Sequence, residues 1–174
     1  MASGRGRQTV RDMVLSMTVI VLFAAVIYVF IPHDDSKDPL QRVDYSVELK
    51  SARRAAPYPL AAPQGLPETW KATSVTYRGD GRHGAAWHLG FLDPDREYVA
   101  VEQSDGKPET FVTSVSRGAE RTDRTQRING EEWVRYEGEK YDALVREEDD
   151  HTTVVLGTAS YERLTTMAAA LETS

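Results

Sequence analysis

Nineteen consecutive residues, Met13 to Ile31, carry no charge, no Gly and no Pro. A helix rises about 1.5 Å per residue, so roughly 20 apolar residues cross a hydrocarbon core of about 30 Å. The run therefore predicts one membrane-spanning helix. Ser16 and Thr18 are tolerable within it because their hydroxyls can bond carbonyls one turn back, and Tyr28 and Phe30 fall where aromatic rings suit the interface. A cleavable signal peptide would have an apolar region of about 7 to 15 residues and a small-x-small site. Here Ile31-Pro32-His33-Asp34 follows, so an uncleaved signal anchor is expected.

Beyond the anchor the pattern shortens. Residues 32–41 (PHDDSKDPLQ) form a polar spacer bounded by proline. Tyr45, Leu49, Ala52 and Ala56 recur at helical spacing in an Ala-, Arg- and Lys-rich stretch, which predicts a helix over about Val47 to Ala55. Pro57, Pro59, Pro63 and Pro67 then enforce an extended, turn-rich connection.

From Trp70 two similar units are expected. In the first, Trp70 to Arg78 alternates as a strand, Gly79-Asp80-Gly81 makes the turn, and Ala85 to Leu92 follows with Trp87, Leu89 and Phe91 on one face. Glu97 to Gln103 closes a second hairpin after Asp93-Pro94-Asp95, and Pro108 opens a helix whose Phe111, Val112, Val115 and Ala119 share a face. In the second unit Asn129-Gly130 precedes strands over Glu132 to Glu137, Tyr141 to Glu147 and Thr152 to Thr158. Ser160 then caps a helix with Tyr161, Leu164, Ala168 and Leu171 on one face. The fold class expected is α+β: an N-terminal transmembrane helix, then an extracytoplasmic domain of mainly antiparallel sheet with packed helices, arranged as two βββα units. The expected organisation is a disordered basic cytoplasmic tail over 1–12, the span over 13–31, the spacer over 32–41 and the outer domain over 42–174.

Charge sets the orientation. Arg5, Arg7 and Arg11 against Asp12 precede the span, while Asp34, Asp35 and Asp38 against Lys37 follow it. Lys and Arg stay on the cytoplasmic side, so the N-terminus is expected inside and residues 32–174 outside the cell membrane. The formal charge of −6 divides into +2 for residues 1–12, zero for the span and hence −8 beyond it. So acidic a domain argues against nucleic acid, which needs clustered positive charge. With no cysteine, an outward domain has no disulfide and must be held by its own core.

Several strings are familiar. Phe30-Ile31-Pro32, Ala56-Pro57-Tyr58-Pro59, residues 65–74 (GLPETWKATS), 87–92 (WHLGFL) and 154–159 (VVLGTA) resemble an actinobacterial family of single-span envelope proteins catalogued only as a domain of unknown function. The resemblance covers nearly the whole chain from the anchor on. It implies a Gram-positive, high-GC source and a membrane location, and it supplies no catalytic, cofactor-binding or metal residue to carry over.

Direct search for chemistry gives little. His83 and His88 lack a third ligand at sensible spacing and read as turn and strand histidines. Glu147 to Asp150 lacks the Gly-punctuated loop of a calcium site and reads as a solvated hairpin turn. Ser104, Ser116 and Ser160 have no nucleophile-elbow glycines. Arg117, Arg121, Arg124 and Arg127 would stripe a helix, but the RGAERTDRTQR composition reads as a solvated linker. Trp70, Tyr77, Trp87, Phe91, Tyr98, Trp133 and Tyr136 read as core, with an apolar cleft as the alternative. No cofactor or metal is expected. The leading expectation is a non-catalytic envelope protein whose outer domain binds another envelope component. The alternatives are a module for lipid or another amphiphile, and an envelope hydrolase.

Overall fold

The structure, a computed structural model, describes residues 5–30 and 42–173. The spacer over 32–41 lies outside the described residues. The chain divides into two compact units, Met1–Asp38 and Pro39–Ser174.

The first unit is one helix, α1 (Arg5–Phe30). Its Val10–Ile27 window has a mean hydropathy of 2.1 and none of it is buried against the protein. Such a helix fits single-pass membrane anchoring, since its apolar surface has no partner in its own unit. Thr18 donates to the Val14 carbonyl at 2.9 Å, the back-bond expected for a hydroxyl in this setting. Residues 5–12 are helical rather than a disordered tail. Extending an existing helix costs only propagation, and Arg and Gln are good helix formers.

The second unit contains α2 (Ser46–Ala55), β1 (Ala61–Pro63), β2 (Lys71–Gly81), β3 (Gly84–Leu92), β4 (Tyr98–Ser104), α3 (Pro108–Val115), β5 (Glu120–Ile128), β6 (Glu131–Glu137), β7 (Asp142–Glu147), β8 (Thr152–Gly157), α4 (Tyr161–Ala169) and β9 (Leu171–Thr173). Seven strands form one antiparallel sheet in the order β2-β3-β4-β8-β7-β6-β5, and β1 pairs with β9 beside it. The α+β class with a separate apolar helix is as expected.

Alternation along the strands divides the core between the two faces of the sheet. One face carries Trp87, Leu89, Val99, Val101, Leu144 and Val155, covered by Leu49 and Ala52 of α2, Leu60, and Leu164, Met167 and Ala168 of α4. The other carries Ala100, Ala143, Val145, Val154 and Leu156 under Phe111 and Val112 of α3.

This division decides the repeat. Strands β2-β3-β4 and β6-β7-β8 are arranged symmetrically about the β4–β8 seam, as two copies of a three-strand unit would be. Yet α3 and α4 lie on opposite faces, so the two βββα units are not equivalent. The connection also differs, because β5 intervenes in the second unit.

Five local expectations change. Gly79-Asp80-Gly81 belongs to β2, and the turn falls two residues later at Arg82-His83, with Gly84 at φ +82°. Asp105 holds it there by accepting the Ala85 N–H at 2.7 Å. The helix at Pro108 stops at Val115 because Arg117 and Gly118 take φ of +61° and +91°, and the Gly118 N–H closes on the Thr113 carbonyl at 2.9 Å. Ala119 is therefore outside the helix. The arginine-rich segment is neither helix nor linker but β5, paired with β6 at the sheet edge. Its charges suit an edge that must not recruit another strand. Finally Leu171 leaves α4 for β9, and the proline-rich connection contains β1, whose Pro63 sits where Pro is tolerated, at a sheet edge.

Candidate functional site

Three clusters of polar side chains stand out: one set by strand register, one by the β7–β8 turn and one by α2 and the segment before it. On the α3 face, β3 pairs His88 directly with Glu102 of β4 and with Thr76 of β2. A bulge between Ala72 and Ser74 sets both Thr73 and Ser74 against Gly90, so the Ser74 hydroxyl lies diagonal to His88. Ser74 Oγ is 2.8 Å from His88 Nε2, and His88 Nδ1 is 2.6 Å from Glu102 Oε1. The network assigns the proton on Nδ1 to Glu102 and leaves Nε2 to accept from the serine. Burial disfavours the imidazolium, but the Glu102 hydrogen bond and charge outweigh it and raise the His88 pKa.

Such a chain can in principle activate a hydroxyl. Its surroundings do not exploit it. The neighbouring cavity of about 350 Å³ is walled by Arg78, Arg82, His83, His88, Glu102 and Phe111 among others, and Ser74 is not part of that wall. The hydroxyl instead occupies the space a side chain at Gly90 would need, 3.3 Å from which stands the Tyr98 ring.

The second cluster surrounds His151, which is buried at the β7–β8 turn rather than splayed at its tip. Its ring stacks on Tyr58 at 4.8 Å. Nδ1 is 2.7 Å from Asp150 Oδ1, and Nε2 is 3.0 Å from Glu148 Oε2, within ion-pair distance though out of line for a hydrogen bond. Arg146 and Thr153 donate to Glu148 at 2.7 and 2.9 Å. Gln103 then donates to Thr153 at 3.1 Å and accepts from the Ala61 N–H at 2.7 Å, linking the turn to β1. Burial opposes charge on both partners, but their mutual attraction raises the His151 pKa and lowers that of Glu148. His151 and Thr153 are buried and Glu148 is half-buried, with Asp150 at the exposed rim, an arrangement that reads as a structural clamp. Glu147 pairs elsewhere, with Arg121 at 3.6 Å, and Asp149 is exposed.

The third cluster lines a cavity of about 570 Å³ between α2 and β1. Just before α2 the Asp44 side chain accepts the Ser46 N–H at 3.0 Å in a local turn, and the Val43 N–H ties the segment to the Ala72 carbonyl at 2.9 Å. That places Arg42, Lys50 and Arg53 around one opening whose wall is Val43, Leu49, Ala62 and Pro63. Among the described residues none of these three cations lies within ion-pair distance of a carboxylate, and Arg53 buries its Nε and one Nη nitrogen with no hydrogen-bond partner. Tyr45 lines the same cavity as Arg42 and Arg53. Burial raises its pKa, and the two guanidinium charges oppose the rise.

The residues singled out from sequence fare unevenly. His83 sits in a turn against Phe111, His88 is in a strand, and among the described residues no group of three His, Asp or Glu is placed to hold a metal. Ser104 donates to the His83 carbonyl and Ser116 accepts the Ala119 N–H at 3.1 Å, both turn-stabilising roles. Ser160 occupies the N-cap of α4 without a side-chain cap bond. Trp70, Trp87, Phe91 and Trp133 lie in the core, and Trp70 and Phe91 also reach the lining of a cavity of about 220 Å³ beside Tyr45. Ser74, Glu102, Arg42, Lys50 and Arg53 were not singled out. Spacing offered a signal for two sets: 74, 88 and 102 are 14 apart through two hairpins, and Lys50 and Arg53 are neighbours on one helical face.

The sequence profile of the family described as "Protein of unknown function (DUF4245)" matches residues 5–171. The chain belongs to this family. No curated protein matches it. Membership thus adds no activity to what the side chains show, and the family carries no sign of catalysis.

Proposed function

We propose that this member of the family is a membrane-anchored, non-catalytic protein of the cell envelope whose outer domain, facing away from the cytoplasm, binds another envelope component. The cell membrane of an actinobacterium is the setting that the sequence resemblance implies. The observation that carries the reading is the cavity between α2 and β1, where three cations, none within ion-pair distance of a carboxylate among the described residues, line an apolar concavity on an otherwise acidic domain. Convergent polar groups over an apolar concavity are the usual form of a ligand site.

Photo-crosslinking in intact cells tests it. A benzophenone side chain at Val47, which is 66% exposed on α2, is expected to give covalent adducts with envelope molecules. Adducts no more abundant than those of a scrambled-anchor control would sink the proposal.

An envelope hydrolase is the second reading, favoured by the Ser74–His88–Glu102 chain alone. It requires labelling of the protein by a fluorophosphonate that disappears in Ser74→Ala. With the Ser74 hydroxyl outside the lining of the neighbouring cavity, no labelling is expected.

A further inference from the structure

The cavity between α2 and β1 says more than that something binds. Arg53 lines the cavity, and among the described residues two of its guanidinium nitrogens are buried with no hydrogen-bond acceptor, so its charge is not already committed to a carboxylate of the protein. A second and third cation, Arg42 and Lys50, open onto the same space. The single carboxylate of the lining, Asp44, is committed to the Ser46 N–H, and its pKa is lowered chiefly by that bond. The lining therefore carries an excess of two positive charges, three cations less Asp44, within a domain whose formal charge is strongly negative. Guanidinium groups match phosphate oxygens in a planar, two-point geometry, and a lysine adds a point charge. A bare anion would need no apolar surface, yet Val43, Leu49, Ala62 and Pro63 form one continuous wall beside the cations.

We propose that this cavity binds the headgroup of an anionic phospholipid, its phosphodiester meeting Arg42, Lys50 and Arg53 and its glyceryl part lying on the Val43–Leu49–Ala62–Pro63 wall. The inference rests on the reading of the outer domain as a binding module and names its ligand class.

The test uses the full chain held in a non-ionic amphipol. Dihexanoyl-phosphatidylglycerol, dihexanoyl-phosphatidylcholine and inorganic phosphate are titrated in turn and followed by calorimetry. Phosphatidylglycerol is expected to bind at least tenfold more tightly than phosphatidylcholine, and at least tenfold more tightly than phosphate. Arg53→Gln and Lys50→Gln should each weaken it about tenfold. Lys50 and Arg42 are exposed, so Lys50→Gln and Arg42→Gln keep the test interpretable if Arg53→Gln alters folding. Equal binding of the two lipids, or binding unaffected by Lys50→Gln and Arg42→Gln, overturns the proposal. Phosphate binding as tightly as phosphatidylglycerol overturns the lipid as its source. If lipid binding fails while Val47 adducts to envelope proteins persist, the ligand class is wrong and the binding-module reading stands.

Discussion

Placing α3 and α4 on opposite faces of one sheet predicts how their core residues combine. Val112 of α3 and Leu164 of α4 are both buried, at 2% and 0% exposure, but in different clusters with the sheet between them. Val112→Ala removes two carbons, worth about 1.6 kcal/mol in transfer, and the cavity left behind brings the loss to about 2 kcal/mol. Leu164→Ala should cost about 3 kcal/mol, within the usual range of about 2 to 5. Sites with no shared partners add to within about 0.5 kcal/mol, so the double variant should lose about 5 kcal/mol. Urea unfolding of the full chain in a non-ionic detergent, followed by tryptophan fluorescence, reads this cleanly. All three tryptophans, Trp70, Trp87 and Trp133, lie in the core of the second unit. A coupling above about 1 kcal/mol would mean that the helices share a face, and the two-sided core would be wrong.

Stability should also depend on pH and on one glycine. His88 and His151 have pKa values raised above the ordinary 6.5, so their stabilisation is complete below about 6.5 and is lost as pH rises through the folded values. Glu148 is lowered from 4.5, so its contribution is present above about 4.5 and is lost as pH falls through its folded value. The Tm is thus expected to be highest between about pH 4.5 and 6.5 and to fall toward pH 8; a Tm that climbs from pH 6 to 8 contradicts both histidine assignments. At the β4–β8 seam, a Cβ on Gly157 would land on the Tyr98 carbonyl oxygen and 3.0 Å from Val99 Cα. Gly157→Ala should lower stability by about 3 kcal/mol, whereas Gly118→Ala, which meets no atom and strains only its positive φ, should cost about 1. Similar losses at the two glycines, measured by urea unfolding, would argue against this strand pairing.

What the sequence made legible follows from where one physical signal dominates. The apolar run at Met13 reflects a helix with apolar residues all round, and the helical spacing of Leu49 and Ala52 and the alternation of Trp87, Leu89 and Phe91 reflect burial of one face; α2 and β3 are found within a residue of the expected ends, whereas α1 begins eight residues earlier, at Arg5. Strand β5 was hidden because Ile128 is its single apolar residue, so an edge strand solvated on both sides looks like a linker. Strands β1 and β9 are three residues each and exist through their pairing with one another, which no local pattern reports. The face chosen by each helix was equally out of reach, since the same apolar stripe on α3 or α4 would serve either side of the sheet. The polar clusters were missed for a related reason. Ser74, His88 and Glu102 meet through register and a bulge, and His151 is buried by the stacking of Tyr58 from a distant segment. The cavity of Arg42, Lys50 and Arg53 needed the β1 wall before its charges meant anything.

Everything proposed for the outer domain depends on its facing away from the cytoplasm. Because the natural chain has no cysteine, single cysteines can report the side directly. Ser3→Cys lies before the apolar helix, and Asp149→Cys is exposed at the β7–β8 turn. In intact cells a membrane-impermeant maleimide should label Asp149→Cys at once and Ser3→Cys only after lysis. Labelling of Ser3→Cys in intact cells, with Asp149→Cys protected until lysis, would place the domain in the cytoplasm and contradict the account.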